Sequence, residues 1–471
     1  MTLNPIKPMK TKGISPRRVI PLNCVDKCEL ALDSIGETAL LYAFIDLEGE
    51  IDHRRLNQAI ISAQETYPIM RTLLRSKCFR CLREIQDNLG DGVLSIQDLT
   101  QLKHADNEEF LWQWINQPMD LRKVFPVRVL LLKKNAVESC LVFTFHHSAT
   151  DGLRAVIFLR KVFDNYNNIP SANDSKSLQD IRITFKGDEL LKFANSQRAK
   201  VEHYYMKMFA SLFHRFVLAA YPPPTRVFHD KSGNSKEVHL SFETINSEAL
   251  KHIESKASSA GVEINDILLA ACYRAIEKWN KMHGKTSNKI RIMAPANISP
   301  KGFRNIVGNQ ASWTSPVTYP KDRVDPVKLL RKVRADNINA VRNRMAFALV
   351  YFFYFCSRFP LEVTKGFCRF LMITRTYVDS ILITNMGVLW PKVGSDDPAV
   401  TSLGSAKIIN VTGSAPVVTP MGLSICAGIY NRNLSIAVTY RTALFSKEKA
   451  ESFLHLYTKE IQNYQVAPEA S

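Results

Sequence analysis

FTFHHSATDG, residues 143–152, closes an apolar run with two adjacent histidines and then turns through an aspartate and a glycine. The run upstream, CLVFTF, reads as a buried strand, on which successive side chains point to opposite faces. His146 and His147 therefore cannot both face one site if the strand runs through them. One is left for packing and the other for chemistry. Asp151 and Gly152 lead into helical spacing at Val156, Ile157, Leu159 and Phe163. Glycine tolerates the backbone angles of such a turn, and aspartate holds it by a hydrogen bond or an ion pair. An imidazole fixed at a strand end can accept a proton from a hydroxyl or an amine near neutral pH. On these residues alone, strand-end packing is an equal reading. A metal site would need a third ligand, and Asp151 sits on the far side of the turn.

Outward from this motif, strands and helices alternate. LYAFIDLEG (41–49) reads as a strand, and the segment from Glu50 to Pro68 as a helix with a stripe at Leu56, Ile60 and Ala63. VFPVRVLLLKK and ESCLVFTFHH are two strands joined by a turn at Asn135. YNNIPSANDSKSLQD (166–180) is polar and turn-rich, as a linker is, and YPPPTRVFHDKSGNSKE (221–237) makes a second break. The same kinds of element then recur. EVHLSFETI is a strand, Ser247 a helix cap, INDILLAACYRAIEKW a helix and KIRIMAPANIS a strand. LSICAGIYNRNLSIAVTYRT reads as a hairpin turning at Asn431–Asn433, and a closing helix is capped by Ser446. Two α/β lobes sharing a cleft follow from this order. The boundaries expected are a basic flexible arm over 1–30, a first lobe over 31–180, a linker and apolar helix over 181–235, and a second lobe over 236–471.

The chain has 471 residues, 46% of them hydrophobic, and a formal net charge of +18. That excess favours anionic partners, such as phosphate-bearing cofactors, acidic carrier proteins, anionic lipid surfaces or nucleic acid. The one dense basic cluster, IKPMKTKGISPRR, reads as a solvated arm, and no nucleic-acid-binding pattern is present. Nine cysteines, mostly single within apolar runs, fit reduced thiols in a cytoplasmic protein. Cys24 and Cys28, with Cys78 and Cys81, would hold zinc only if the fold brought them together; the stretch around Cys78 reads more simply as a strand and its edge. No secretory signal follows the basic start. MKMFASLFHRFVLAAY (206–221) and MAFALVYFFYFC (345–356) are too short or too interrupted to cross a bilayer, and read as buried helices or as greasy helices beside a tunnel or membrane surface.

His146 to Gly152 reproduce the motif HHxxxDG, and the match does not stop there. FIDLEGEIDHRRLNQAI with YPIMRT, then GVEINDILLAACYRAI, MAPANISP, IVGNQAS and ILITNMGVLW, occur in order along the chain. Together they resemble the CoA-dependent acyltransferase superfamily of condensation domains, alcohol acyltransferases and wax ester synthases. The resemblance implies an α/β fold of two chloramphenicol-acetyltransferase-like lobes, each a mixed sheet with flanking helices, around a central tunnel.

It also implies roles. His147 would be the general base, His146 and Asp151 structural members of the motif, and Gly152 a point of close substrate approach. Asn309 and Asn385 would be substrate-binding or structural. Asp151 would pair with a second-lobe arginine, but Ser299 stands where relatives carry it, leaving Arg291 or Arg304 as substitutes. The implied reaction moves an acyl group from acyl-CoA or an acyl carrier protein to a hydroxyl acceptor, lipid-like in view of the apolar segments. An amide-forming condensation enzyme and a silent binding protein are the alternatives. No cofactor or metal is expected. A cytoplasmic monomer with peripheral membrane contact completes the expectation.

Overall fold

The computed structural model describes residues 19–466, apart from 38, 78–79, 90–91, 100–103, 169–222, 300–306, 344, 348–349, 351–352, 354–358, 374–378 and 391–399. The first half contains β1 (Val19–Pro21), α1 (Cys24–Ser34), β2 (Leu40–Glu48), α2 (His53–Thr66), β3 (Thr72–Lys77), β4 (Arg80–Ile85), β5 (Leu94–Asp98), α3 (His104–Asn116), β6 (Val127–Lys133), β7 (Glu138–His146) and α4 (Gly152–Tyr166). The second contains β8 (Val238–Ile245), α5 (Ser247–Ser259), α6 (Ile264–Met282), β9 (Ile290–Asn297), β10 (Ala311–Thr314), β11 (Val317–Thr318), α7 (Pro326–Arg342), α8 (Leu361–Ile373), β12 (Ile381–Val388), β13 (Ser402–Leu403), β14 (Ala406–Gly413), β15 (Leu423–Tyr430), β16 (Asn433–Arg441) and α9 (Lys447–Gln462).

These strands make two large mixed sheets, ordered β13-β14-β2-β7-β6-β5 and β10-β9-β12-β15-β16-β8, with β11 on β9 and a small β1-β4-β3 sheet besides. The first sheet is covered on both faces. Along β7, Leu141, Phe143 and Phe145 enter one core with α2 and α4, while Cys140 and Val142 enter another with Trp114 and Ile115 of α3. That alternation is the pleat expressed as packing. In the second lobe α6 lies across the sheet, burying Leu269, Tyr273 and Ile276 against Ile292, Ile425 and Ile436. Asn431 and Arg432, at φ 46° and 61°, form the two-residue turn of the β15–β16 hairpin.

Three features depart from the sequence reading. The basic arm expected over 1–30 is ordered from residue 19: β1 pairs with β4, and α1 is a capped helix. Residues 1–18 lie outside the described residues. Sheet membership also cuts across the halves of the chain. β14, from the second half, pairs antiparallel with β2, Val411 opposite Ile45, and Tyr42 donates its N–H to the Ser414 hydroxyl at 2.8 Å. Finally, the cap of α5 is Asn246, whose side chain accepts from the Ala249 N–H, so Ser247 is its first helical residue.

The expected apolar helix at 206–221 lies outside the described residues. Of 345–356, Ala346, Phe347, Val350 and Phe353 are described and buried. No described helix is long and apolar enough to cross a membrane. Cys24 and Cys28 are buried in α1, where burial pushes the Cys24 thiol up to about 12.

The lobes are pinned together at Glu37. Its carboxylate accepts the Thr419 N–H at 2.7 Å and pairs with Lys236 and with the buried Arg441. Burial alone would raise this carboxyl, but Arg441, Lys236 and the Thr419 amide outweigh it and hold the group below the usual carboxylate range. A depressed carboxyl stabilises the fold above its unfolded value of about 4.3, and loses that contribution as pH falls through the folded value. Urea unfolding of wild type and Glu37→Gln at a series of pH values is expected to show a constant gap at neutral pH. The gap should close below about pH 4.3.

Candidate functional site

β7 ends at His146, and the turn that follows separates the two imidazoles. His146 is fully buried, its Nδ1 2.9 Å from the Ser148 hydroxyl. His147 is half-buried and lines a cavity of about 140 Å³ between the two sheets. Its N–H donates to the Ala39 carbonyl at 2.7 Å, fixing the backbone where the strand stops.

Asn309 crosses from the second lobe to hold the ring. Its amide nitrogen donates to the His147 carbonyl at 2.8 Å and lies 3.1 Å from Nδ1, while its oxygen accepts the Ala311 N–H. A flipped amide would set oxygen against oxygen at the His147 carbonyl, so the orientation is fixed. An amide that donates to Nδ1 leaves the ring proton on Nε2. With its hydrogens on the carbonyl alone, Nδ1 can carry the ring proton and Nε2 is then left unprotonated.

Asp151 caps α4, accepting the Arg154 N–H at 3.0 Å. Its other oxygen accepts the Gln310 N–H at 2.8 Å, a bond between lobes. The expected second-lobe arginine is replaced by Arg154, one turn along the same helix, whose Nη1 is 3.5 Å from Asp151. Arg154 reaches on to Asn297 Oδ1 at 3.1 Å and to Gln310 Oε1 at 3.4 Å. The guanidinium thus spans the lobes from the side opposite to expectation. Ser299 donates its hydroxyl to the same Asn297 oxygen at 2.6 Å. Arg291, one candidate substitute, is engaged by Asp379, and Arg304 lies outside the described residues. A Cβ on Gly152 would sit 3.0 Å from the Met386 sulfur, so a side chain there would press on the cavity wall.

Asn385 stands apart from the cavity. Leu382, Thr384 and Met386 of β12 line it by alternation, whereas the Asn385 amide donates to Asn265 of α6 at 3.3 Å and its oxygen accepts the Gly387 N–H. It ties β12 to α6.

Two supports escaped the sequence reading, and both involve the segment taken for a flexible arm. Asn23, the α1 cap, donates its amide to the Asn309 carbonyl at 3.1 Å. Arg83, 1% exposed, lies 3.3 Å from the fully buried Asp26 and donates to the Ser148 carbonyl in the histidine turn. The start of α1 therefore braces the two residues that meet at the cavity. No sequence motif marks this, because the partners lie far apart in the chain.

The sequence model of the family described as Condensation domain matches residues 37–344. Bacitracin synthase 1 of Bacillus licheniformis is 22% identical over 329 residues, 64% of this chain and 6% of that protein. Tyrocidine synthase 3 of Brevibacillus parabrevis is 24% identical over 273 residues, 56% of this chain and 4% of that protein. The chain thus spans less than a tenth of the length of these relatives. Among solved structures, the first condensation domain of the CDA synthetase superposes with a TM-score of 0.69 at 12% identity, covering 96% of this chain and 97% of that one. A variant of the starter condensation domain of rhizomide synthetase, in complex with C8-CoA and Leu-SNAC, gives a TM-score of 0.66 at 13% identity, covering 95% and 94%. These likenesses show the fold. With the histidine turn, the bridged lobes and a family match over more than half its length, the chain belongs to the condensation-domain family.

Proposed function

We propose that this chain joins an acyl group, presented as a thioester, to an amine and releases the thiol. The observation that carries this reading is the His147 ring on the wall of an apolar cavity between two bridged lobes. The acceptor nitrogen attacks the thioester carbonyl, the C–N bond forms and the C–S bond breaks. In the tautomer with Nε2 free, His147 takes the proton shed by the nitrogen and returns it to the departing thiolate. A base so placed contributes about 10²- to 10⁴-fold, and holding both reactants in one cavity removes an entropic barrier.

Family membership and the synthases among the curated relatives favour this amide-forming reading over the hydroxyl acceptor expected from the sequence. Nothing in the comparisons supports a lipid acceptor or peripheral membrane contact. The donor is a thioester of a carrier protein or of CoA, and a net charge of +18 suits either, since both are anionic. The test is thiol release from octanoyl thioesters of CoA, of a carrier protein and of N-acetylcysteamine, against alkylamines and alkanols of equal length. Amide formed with amines supports the reading. Ester formed with alkanols alone overturns it in favour of the hydroxyl acceptor, and no thiol release with any pair identifies a silent binding protein.

A further inference from the structure

Among the described residues, the carboxylates that line the His147 cavity are Glu29, Glu37 and Asp151. Two of them are consumed. Asp151 accepts from the Arg154 and Gln310 amides, and Glu37 from Lys236, Arg441 and Thr419. Glu29 has no hydrogen bond or ion pair among the described residues. It lies half-buried on α1 between Val25 and Leu32, which share its helix face and also line the cavity. The rest of the wall is largely apolar, with Leu41, Met293, Trp313, Leu382 and Met421 among its members, and no described lysine or arginine belongs to it. A carboxylate held at an apolar wall without a partner is a cost to the free protein. A cation brought by the substrate would remove that cost.

We propose that Glu29 selects the acceptor, pairing with the ammonium form of the incoming amine and drawing it into the cavity of His147. The inference rests on the amine-acylating reading above and makes it more specific: the acceptor is cationic when it arrives. The protons balance in two steps. The ammonium, held beside Glu29, first loses one proton to water. The neutral nitrogen then attacks, and its second proton travels through His147 to the thiolate. The sum is ammonium plus thioester giving amide, thiol and one released proton. An alkanol of equal length gains nothing from Glu29.

The test combines binding with turnover on the full chain. Calorimetric titration with hexylamine is expected to show affinity falling by about tenfold or more in Glu29→Gln, since an ion pair shielded from bulk water exceeds the surface value. His147→Ala should bind hexylamine as wild type does. With an octanoyl thioester, Glu29→Gln should raise the KM for hexylamine with kcat little changed, and leave any turnover of hexanol unaltered. Equal hexylamine affinity in wild type and a folded Glu29→Gln, judged by an unchanged Tm, overturns the proposal. Failure of wild type to release thiol with any acceptor overturns the transfer reading instead, while the affinity ratio still decides Glu29.

Discussion

His147→Ala is expected to lower thiol release by about 10²- to 10⁴-fold with the fold intact. The ring is half-exposed at a cavity wall, so its removal opens little buried space, and its backbone bond to Ala39 does not depend on the side chain. Thiol release under saturating thioester and amine gives the first quantity, and the thermal midpoint gives the second. A variant that keeps full activity would show that His147 is not the base. A large fall in Tm alongside the lost activity would show that the ring serves packing, which was the other reading of the histidine pair.

Arg83→Ala is expected to be the most damaging single change to stability, by about 3–5 kcal/mol, because it strips a buried carboxylate of its partner. Asp26 is fully buried, and besides Arg83 its contact is the Asn23 N–H at 3.1 Å. The same change releases the Ser148 carbonyl, so the turn carrying His147 loses a brace. Urea unfolding should give a lower midpoint with an unchanged slope. The double variant Asp26→Asn with Arg83→Met should recover part of the loss, since it leaves no unpaired charge. If the single change cost less than about 1 kcal/mol, the range of an exposed pair, the network would be ornamental to the fold.

Much of this architecture was legible because its determinants are local. The apolar run before His146, the stripe of α2 and the hairpin turn at Asn431–Arg432 each follow from a period or a turn preference within a dozen residues. The cap of α5 was misplaced by one position because Asn246 and Ser247 are both good capping residues, and only the geometry chooses between them. Long-range pairing was not legible. Asn23 meets Asn309 across 286 positions, and no periodicity encodes that meeting. Arg154 is the instructive case. It lies three residues after the cap residue Asp151, a spacing that sets two side chains on one helix face, so the signal was present in the sequence. The resemblance directed attention to the far lobe instead.

The pairing of β14 with β2 bears on how the molecule is made. Tyr42 and Ser414 are hydrogen-bonded neighbours separated by 372 positions. While the ribosome extends the chain, β2 emerges early and waits with one edge bare until residues 406–413 follow. Closing so long a loop is slow, and an open strand edge invites pairing with other nascent chains. Translation cut short before residue 406 should yield insoluble product rather than a working half-molecule.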